Sequence, residues 1–471
     1  MIYINELFKV VNDFKQFHEK GEKVVDYRKP AELKQLIDLS LGDSHSRKEL
    51  GQLVEDYAKY SVKTGHKQYL NQLFSGFNEG AVLGEVLAAL MNSSMYTYEV
   101  SPVASLIETE VIAKMNSYAG FENGDGIFTT GGSNSNMLAM LCARHQKCPD
   151  IKQTGFYRRK PLSAFVSERA HYSFEKGAYL LGLGSDYLYS VKTDDLGQII
   201  PEELEKAINE SLGKGEEPFF IAATASTTEL GAFDPIDKMN DVAKRYDCWL
   251  HVDGSWGGSI ILSKTHRHLF DGLEKADSFA WNAHKLMNTP LIASALLVKD
   301  HSIMHNAVSA TKTDYIFHEH DDQNYDLGTK SLACGRRNDA LKVWMAWKAI
   351  GDEQYEKNID KLMDLAQYAG KIVENHPNLE LLAPVQSLNI NFRYRIEDES
   401  NINDFNIEMR EQLLKSGKSM VNYCHLKDKV SIRLVLVNHE LEKDDIDVFF
   451  ANIVSAGKEL EATYAAQSIN A

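Results

Sequence analysis

FFIAATASTTELGAFDPIDKMNDVAKRYDCWLHV, residues 219–252, holds one complete strand-helix-strand unit. Phe219–Ala223 is an uninterrupted apolar run, the pattern of a strand buried on both faces. The stretch STTELGAFDP then reads as a loop. Asp234 suits a helix N-cap and Pro235 the first helical position, where a missing N–H costs nothing. Ile236–Tyr246 follows as an amphipathic helix and Trp249–Val252 as the next strand. A helical crossover returns the chain alongside its first strand in the same direction, so the unit predicts a parallel sheet.

The same alternation of apolar runs and amphipathic stretches extends over about residues 66–345, which reads as a large α/β domain. Before it, residues 1–65 read as a helical arm; in PAELKQLIDLS, for example, Leu33, Leu36 and Ile37 recur at helical spacing. After it, residues 346–471 change texture. A long helix over roughly 352–375 leads to LELLAPVQSLNINFRY, a further helix, two short strands around Met420 and Ile432, and a last helix from Asp444. That pattern predicts a small α+β domain.

Composition narrows the function classes. The 471 residues are 44% hydrophobic, ordinary for a globular chain with a sizeable core. No apolar run of about 18 residues appears, so no membrane-spanning helix is expected. The opening MIYINELFKVVND lacks the basic and apolar regions of a secretory signal. Five cysteines without CxxC pairs suit a reducing cytoplasm and no zinc site. The net charge of −16 argues against nucleic acid and anionic membranes as partners, though a small anionic substrate needs only local cations.

Four features sit at the ends of predicted strands, where ligands gather in open parallel sheets. GIFTTGGSNSNM places Gly131 and Gly132 between a strand and a helix beginning near Ser133, so helix amides with Ser133 and Ser135 can cradle a phosphate. Taken alone, this is equally a tight turn with a serine cap. No GxGxxG follows a strand, which disfavours a dinucleotide site. His171 lies in the turn SERAHYS, Asp253 ends the strand WLHVD, and Lys285 follows in FAWNAHKLMN. Singly, each has a bland reading as a structural histidine, a helix cap and a solvated lysine. Together they match the needs of pyridoxal phosphate (PLP): a Schiff-base lysine, a carboxylate at the ring nitrogen, a flat group over the ring and a phosphate cup. The carboxylate favours the protonated ring nitrogen, and the protonated ring accepts the electrons released when CO2 departs.

The segments NQLFSGFN, TYEVSP, GDGIFTTGGSNSNM, ERAHYS, FDPI, HVDGSWGG, HRHLFDGLEKADSFAWNAHK and CGRR resemble the group II PLP-dependent amino-acid decarboxylases. The nearest branch is that of the glutamate, cysteine sulfinate and aspartate decarboxylases. The resemblance covers about residues 65–455. It implies an α/β chain of PLP fold type I, aspartate-aminotransferase-like, with a mostly parallel sheet. It also implies a homodimer with active sites at the subunit interface. Carried over by residue, it implies that Lys285 forms the Schiff base, Asp253 pairs with the ring nitrogen and His171 stacks on the ring. Asn134, Ser135, Asn282 and His284 lie at the phosphate, and Thr228 contacts the cofactor. One departure stands out. The family usually has HVDAAWGG, and its first alanine is expected to pack on the ring, so Gly254 is expected to leave the cofactor looser.

The resemblance also aligns Tyr315, in ATKTDYIFHEHDDQNYD, with the tyrosine that protonates the α-carbon from a mobile loop across the dimer. The HEHDD cluster reads as a solvated acidic loop, with no metal expected. Arg433, in VSIRLVLV, matches the arginine that binds the substrate's side-chain carboxylate, and its fork geometry suits that task. Gln72 resembles a residue assisting there. At three positions bearing on substrate length this chain has Phe74, Ser94 and Tyr96. That is the pattern of the cysteine sulfinate and aspartate enzymes, and a bulky Phe shortens the pocket. The expected reaction is α-decarboxylation of aspartate to β-alanine and/or cysteine sulfinate to hypotaurine. The alternative is glutamate to 4-aminobutyrate, since one methylene is worth only ~1–3 kcal/mol. A PLP aminotransferase and a catalytically silent scaffold are weaker rivals, given W-N-x-H-K and the intact Lys285, Asp253 and His171.

Overall fold

The computed structural model describes residues 23–470, apart from residues 43, 158, 311, 312 and 314. Residues 1–22, the start of the expected arm, lie outside the described residues. The rest of that arm carries the helices Pro30–Leu36 and Arg47–Tyr60. Ser46 opens the second of these with reciprocal bonds: its hydroxyl accepts from Glu49 N at 3.4 Å, and the Glu49 carboxylate accepts from Ser46 N at 2.7 Å.

The described residues gather into two compact units, one of Phe77–Met363 and one joining the residues up to Gly76 with those from Asp364. The expected cuts, at 65/66 and 345/346, fall elsewhere. β1 (Tyr69–Leu70) pairs in parallel with Met420 and Val421, which ties the segment before Gly76 to the C-terminal one. The helix Ala340–Asn375 runs straight across residue 346 and breaks only at Gly351, where φ is 76°.

In the larger unit β2 (Asp125–Thr129), β3 (Leu162–Ser167), β4 (Leu188–Val191), β5 (Glu217–Thr224), β6 (Trp249–Gly254), β7 (Ser278–Asn282) and β8 (Ser294–Val298) form one sheet. Their order is β2-β8-β7-β6-β5-β3-β4. Neighbours from β7 to β4 run parallel, and β8 is antiparallel to both β7 and β2. β2 therefore points the same way as the parallel set. β5 and β6 are buried along almost their whole length, as the apolar runs require. The helix Ile236–Arg245 buries Ile236, Met239, Val242 and Ala243, one face at helical spacing.

The cap of that helix differs from expectation. Pro235, not Asp234, is the N-cap. Asp234 is instead buried, its two oxygens accepting from Ile199 N and Thr224 N, each at 2.7 Å. Local sequence cannot distinguish a cap from a buried staple, because the two donors lie 35 and 10 residues away in sequence. Burial pushes the Asp234 carboxyl up to about 7 despite these bonds. Asp234→Ala strands two buried N–H groups, and chemical denaturation should register a loss of about 2–5 kcal/mol.

In the smaller unit β9 (Leu379–Leu381), β10 (Asn389–Tyr394), β11 (Met420–Leu426) and β12 (Lys429–Val435) join β1 in the order β1-β11-β12-β10-β9. All contacts except β1 with β11 are antiparallel. The helix Ile402–Ser416 packs on β11 and β12 and against Lys443–Asn470. Among the described residues, no helix is long and apolar enough to cross a membrane.

Candidate active site

A cavity of about 210 Å³ opens in the larger unit, and each lining residue comes from the carboxyl end of a strand or the segment just after it. Gly132, Ser133 and Asn136 follow β2, while His171 follows β3. Thr224 and Thr228 belong to the end of β5, Asp253 and Ser255 to β6, and Asn282 and Lys285 to β7. The parallel set brings these ends to one edge, where loops can converge without breaking the ladder. Of the residues singled out from sequence, Lys285, Asp253, His171, Thr228 and Asn282 line this one cavity.

Asp253 is 4% exposed. Its Oδ1 accepts from Ser255 N at 3.0 Å and its Oδ2 from Asn136 Nδ2 at 2.8 Å. Burial by itself would raise this carboxyl; bonds from Ser255 and Asn136 and the nearby His251 outweigh it and hold the pKa below the ordinary 3.8. Sequence reading missed Asn136. The available signal was spacing, since residues 133 and 136 share a helix face three apart.

The His171 imidazole has its Nδ1 accepting from Ser173 N at 3.2 Å, which leaves the proton of the neutral ring on Nε2. Burial lowers its pKa, with Lys285 and Lys176 adding to the effect and Asp253 opposing it, so the ring is neutral at pH 7. Lys285 is half-buried at the turn after β7, its N–H on Asn282 O at 3.2 Å.

The lining fits PLP. Gly131 takes φ 124°, a left-handed value that glycine permits, and starts the 16-residue helix Gly132–Lys147 at the cavity. A Cβ on Gly132 would meet Ser255 Oγ at 2.5 Å and Asn282 Nδ2 at 2.9 Å, so glycine at this position keeps both side chains and the first helix amides close together at the cavity, where a phosphate can be held. Asn282 Oδ1 accepts from Ser294 Oγ at 2.6 Å, leaving its amide N–H groups as donors. The Thr224 hydroxyl is buried in this wall with no hydrogen-bond partner in the protein, as expected where a polar ligand completes the shell.

Asn134, Ser135 and His284 are not among the lining residues. Ser135 is fully buried, with its hydroxyl 2.7 Å from Thr129 Oγ1 and 3.0 Å from Ser294 Oγ. His284 is buried with Nδ1 on the Ala293 backbone, and burial beside Lys285 pushes its pKa down to about 3. The expectation for Gly254 is corrected. A Cβ there would meet Phe279 Cε2 at 2.2 Å, so the position faces away from the cavity, and Ser255 is the residue that borders it. Alternation along a strand gives the reason: residues 253 and 254 point to opposite faces.

In the smaller unit Arg433 lies on β12, 6% exposed, opposite Asn422 of β11 and Asn391 of β10. One of its terminal nitrogens lies 3.5 Å from Asn71 O, so the segment carrying Gln72 runs beside it. The Phe74 ring sits 6.1 Å from that of Tyr69. Ser94 and Tyr96 belong to the larger unit. There Ser94 Oγ accepts from Arg336 N at 3.2 Å and Tyr96 O from Gly328 N at 2.9 Å. Tyr315 is 78% exposed and does not line the cavity. In the same loop His320 Nε2 lies 3.0 Å from Asp326 Oδ2. Among the described residues, no three His, Cys, Asp or Glu side chains cluster as metal ligands.

Comparison with known proteins agrees with this geometry. Residues 30–395 match the model of the pyridoxal-dependent decarboxylase conserved domain. Human cysteine sulfinic acid decarboxylase is 40% identical over 456 residues, which cover 93% of this chain and 92% of that protein. Human acidic amino acid decarboxylase GADL1 is 39% identical over 454 residues, 93% of this chain and 87% of that protein. The crystal structure of mouse CSAD superposes with a TM-score of 0.94 at 38% identity, covering 97% of this chain and 98% of that one. With Lys285 and Asp253 in one cavity whose lining fits PLP, the chain belongs to the pyridoxal-dependent decarboxylase family and is a PLP carboxy-lyase of fold type I.

Proposed function

We propose that this decarboxylase removes the α-carboxyl group of an acidic amino acid, aspartate (to β-alanine) and/or cysteine sulfinate (to hypotaurine). The carrying observation is the shared cavity of Lys285, Asp253 and His171. The substrate class is supported by the names of the relatives, by Arg433 buried on β12 and by the set Phe74, Ser94 and Tyr96.

When bound, PLP supplies an electron sink for the pair left behind as CO2 departs. The Lys285 amine forms the covalent link to it. Asp253, held ionised, keeps a proton on the ring nitrogen. Neutral His171 offers a flat face to the ring, and Thr228 is a further contact. The amides at Gly132 and Ser133 and the Asn282 side chain hold the phosphate. Asn134, Ser135 and His284 support that end, Ser135 through Ser294, whose hydroxyl turns the Asn282 amide N–H groups outward. Arg433, with Gln72, binds the substrate's second acidic group.

Tyr315 supplies the proton to the α-carbon and acts across a homodimer, which suits its exposure in the single chain. Tyr315→Phe should lower steady-state amine formation by roughly 10²–10⁴-fold and reduce the amount of amine formed per CO2 released. An unchanged ratio of amine to CO2 removes Tyr315 from the reaction. A cytoplasmic location belongs to the same proposal and is supported by five free cysteines and the acidic charge.

The deciding experiment incubates the holoenzyme with aspartate, cysteine sulfinate and glutamate in competition and quantifies the three amines. β-Alanine and hypotaurine should dominate; 4-aminobutyrate as the main product would overturn the substrate assignment.

A further inference from the structure

We infer that Asn136 is a positioning residue for Asp253, locked in orientation by a one-way hydrogen-bond chain that starts at Trp249 and passes through Ser278 and His251. The inference rests on the proposed role of Asp253 at the ring nitrogen.

Donor and acceptor chemistry sets the direction. Trp249 Nε1 can only donate, and it lies 2.8 Å from Ser278 Oγ, so that oxygen accepts. A hydroxyl oxygen has two lone pairs, so the Trp249 bond alone leaves open the role of His251 Nδ1, also 2.8 Å away. The other end closes it: ionised Asp253 takes an N–H of Asn136, which turns the Asn136 carbonyl to His251 Nε2 and so leaves Nδ1 to accept from Ser278. His251 therefore carries its own proton on Nε2, 3.0 Å from Asn136 Oδ1. With its carbonyl taken, Asn136 uses both amide hydrogens as donors, one to Asp253 Oδ2 at 2.8 Å and one to Ser173 Oγ at 3.0 Å. An ionised carboxylate can only accept. Both ends of the chain are thus fixed by residue type.

Burial keeps bulk water from these atoms. Ser278 and His251 are fully buried and Asn136 is 1% exposed. Burial also keeps the His251 ring neutral, its pKa pushed down to about 4. A flip of Asn136 would set its carbonyl against the Asp253 carboxylate and its N–H against the His251 N–H. Such a double mismatch in a dry site is costly. Asn136 thus presents only a donor to Asp253, which favours the charged form and fixes which way the carboxylate points.

An isosteric change tests charge against shape. Asn136→Asp puts a second carboxylate 2.8 Å from the first. Two so close cannot both be ionised. PLP affinity is measured by titration of resolved enzyme, together with the pH dependence of the bound cofactor's visible band, for N136D, N136A, S278A and D253N. We expect N136A to bind PLP about 10-fold more weakly and N136D about 100-fold, with the band's pH dependence displaced in N136D. S278A, at the far end of the chain, should lose less in the same direction. If N136A and N136D match the wild type in both readouts while D253N does not, positioning by Asn136 is wrong and the role of Asp253 stands. If D253N also matches the wild type, the role of Asp253 falls and this inference with it. Should the Asn136 variants fail to fold, S278A decides: unchanged affinity and band refute the chain, and weakened affinity with a displaced band supports it. Lowered thermal stability with no displacement of the band in any variant would mark a merely structural role and refute positioning.

Discussion

Lys285→Ala is expected to lower decarboxylation by about 10⁴-fold or more, the largest effect of any single change in this chain. The amine is the group that would form the covalent link to PLP in the cavity it lines. Removing it also removes a charge that depresses the pKa values of His171 and His284. Borohydride reduction followed by intact-mass measurement checks the assignment. Wild-type protein should gain the mass of one reduced PLP, while the variant should gain none. A variant that still carries the adduct, or keeps activity within tenfold, would place the link on another residue.

Asp253→Ala ranks second. The side chain is a buried charge with fixed donors on both oxygens, and under the proposed role its truncation leaves the protonated ring nitrogen without a counter-charge, a loss of about 3–5 kcal/mol. Expressed in kcat/KM, that is roughly 10²–10⁴-fold, with PLP binding weakened as well. The pH behaviour has a definite sign. Because the folded carboxyl titrates below the ordinary 3.8, its charge is essentially complete by about pH 5. Whatever stability and cofactor affinity it contributes stays constant through the neutral range and is lost only as pH falls through the depressed pKa. A plot of PLP affinity against pH should therefore be flat on account of this group from about pH 5 upward. A step near neutrality in wild type that vanishes in Asp253→Ala would contradict the lowered pKa.

The chemistry-bearing residues and their strand ends were legible early. A continuous apolar run predicts a buried strand wherever it occurs, so β5 and β6 and the edge position of Asp253 followed from local pattern alone. The glycine pair that opens the helix Gly132–Lys147 was legible as well, from its place between an apolar run and a helical stretch. Asn136 was not, because its value lies in a contact with a residue 117 positions further on. Asp234 read as a helix cap because Asp before Pro is the usual capping pattern; its true donors come from two separate segments. Gly254 was misjudged because the reading lacked the face of the strand, although the period of two was available.

The amino-acid order on its own determined which functional groups exist and which strand ends carry them, since helix and strand periodicities and backbone preferences act over a few residues. Tertiary structure decided which helix covers the face of β6 that carries His251 and Asp253, and hence which amide holds the carboxylate ionised. It also decided the neutrality of His171, His251 and His284. These properties depend on burial and on partners far apart in the chain, and water leaves such a site only once the sheet and the helix Gly132–Lys147 have closed on each other.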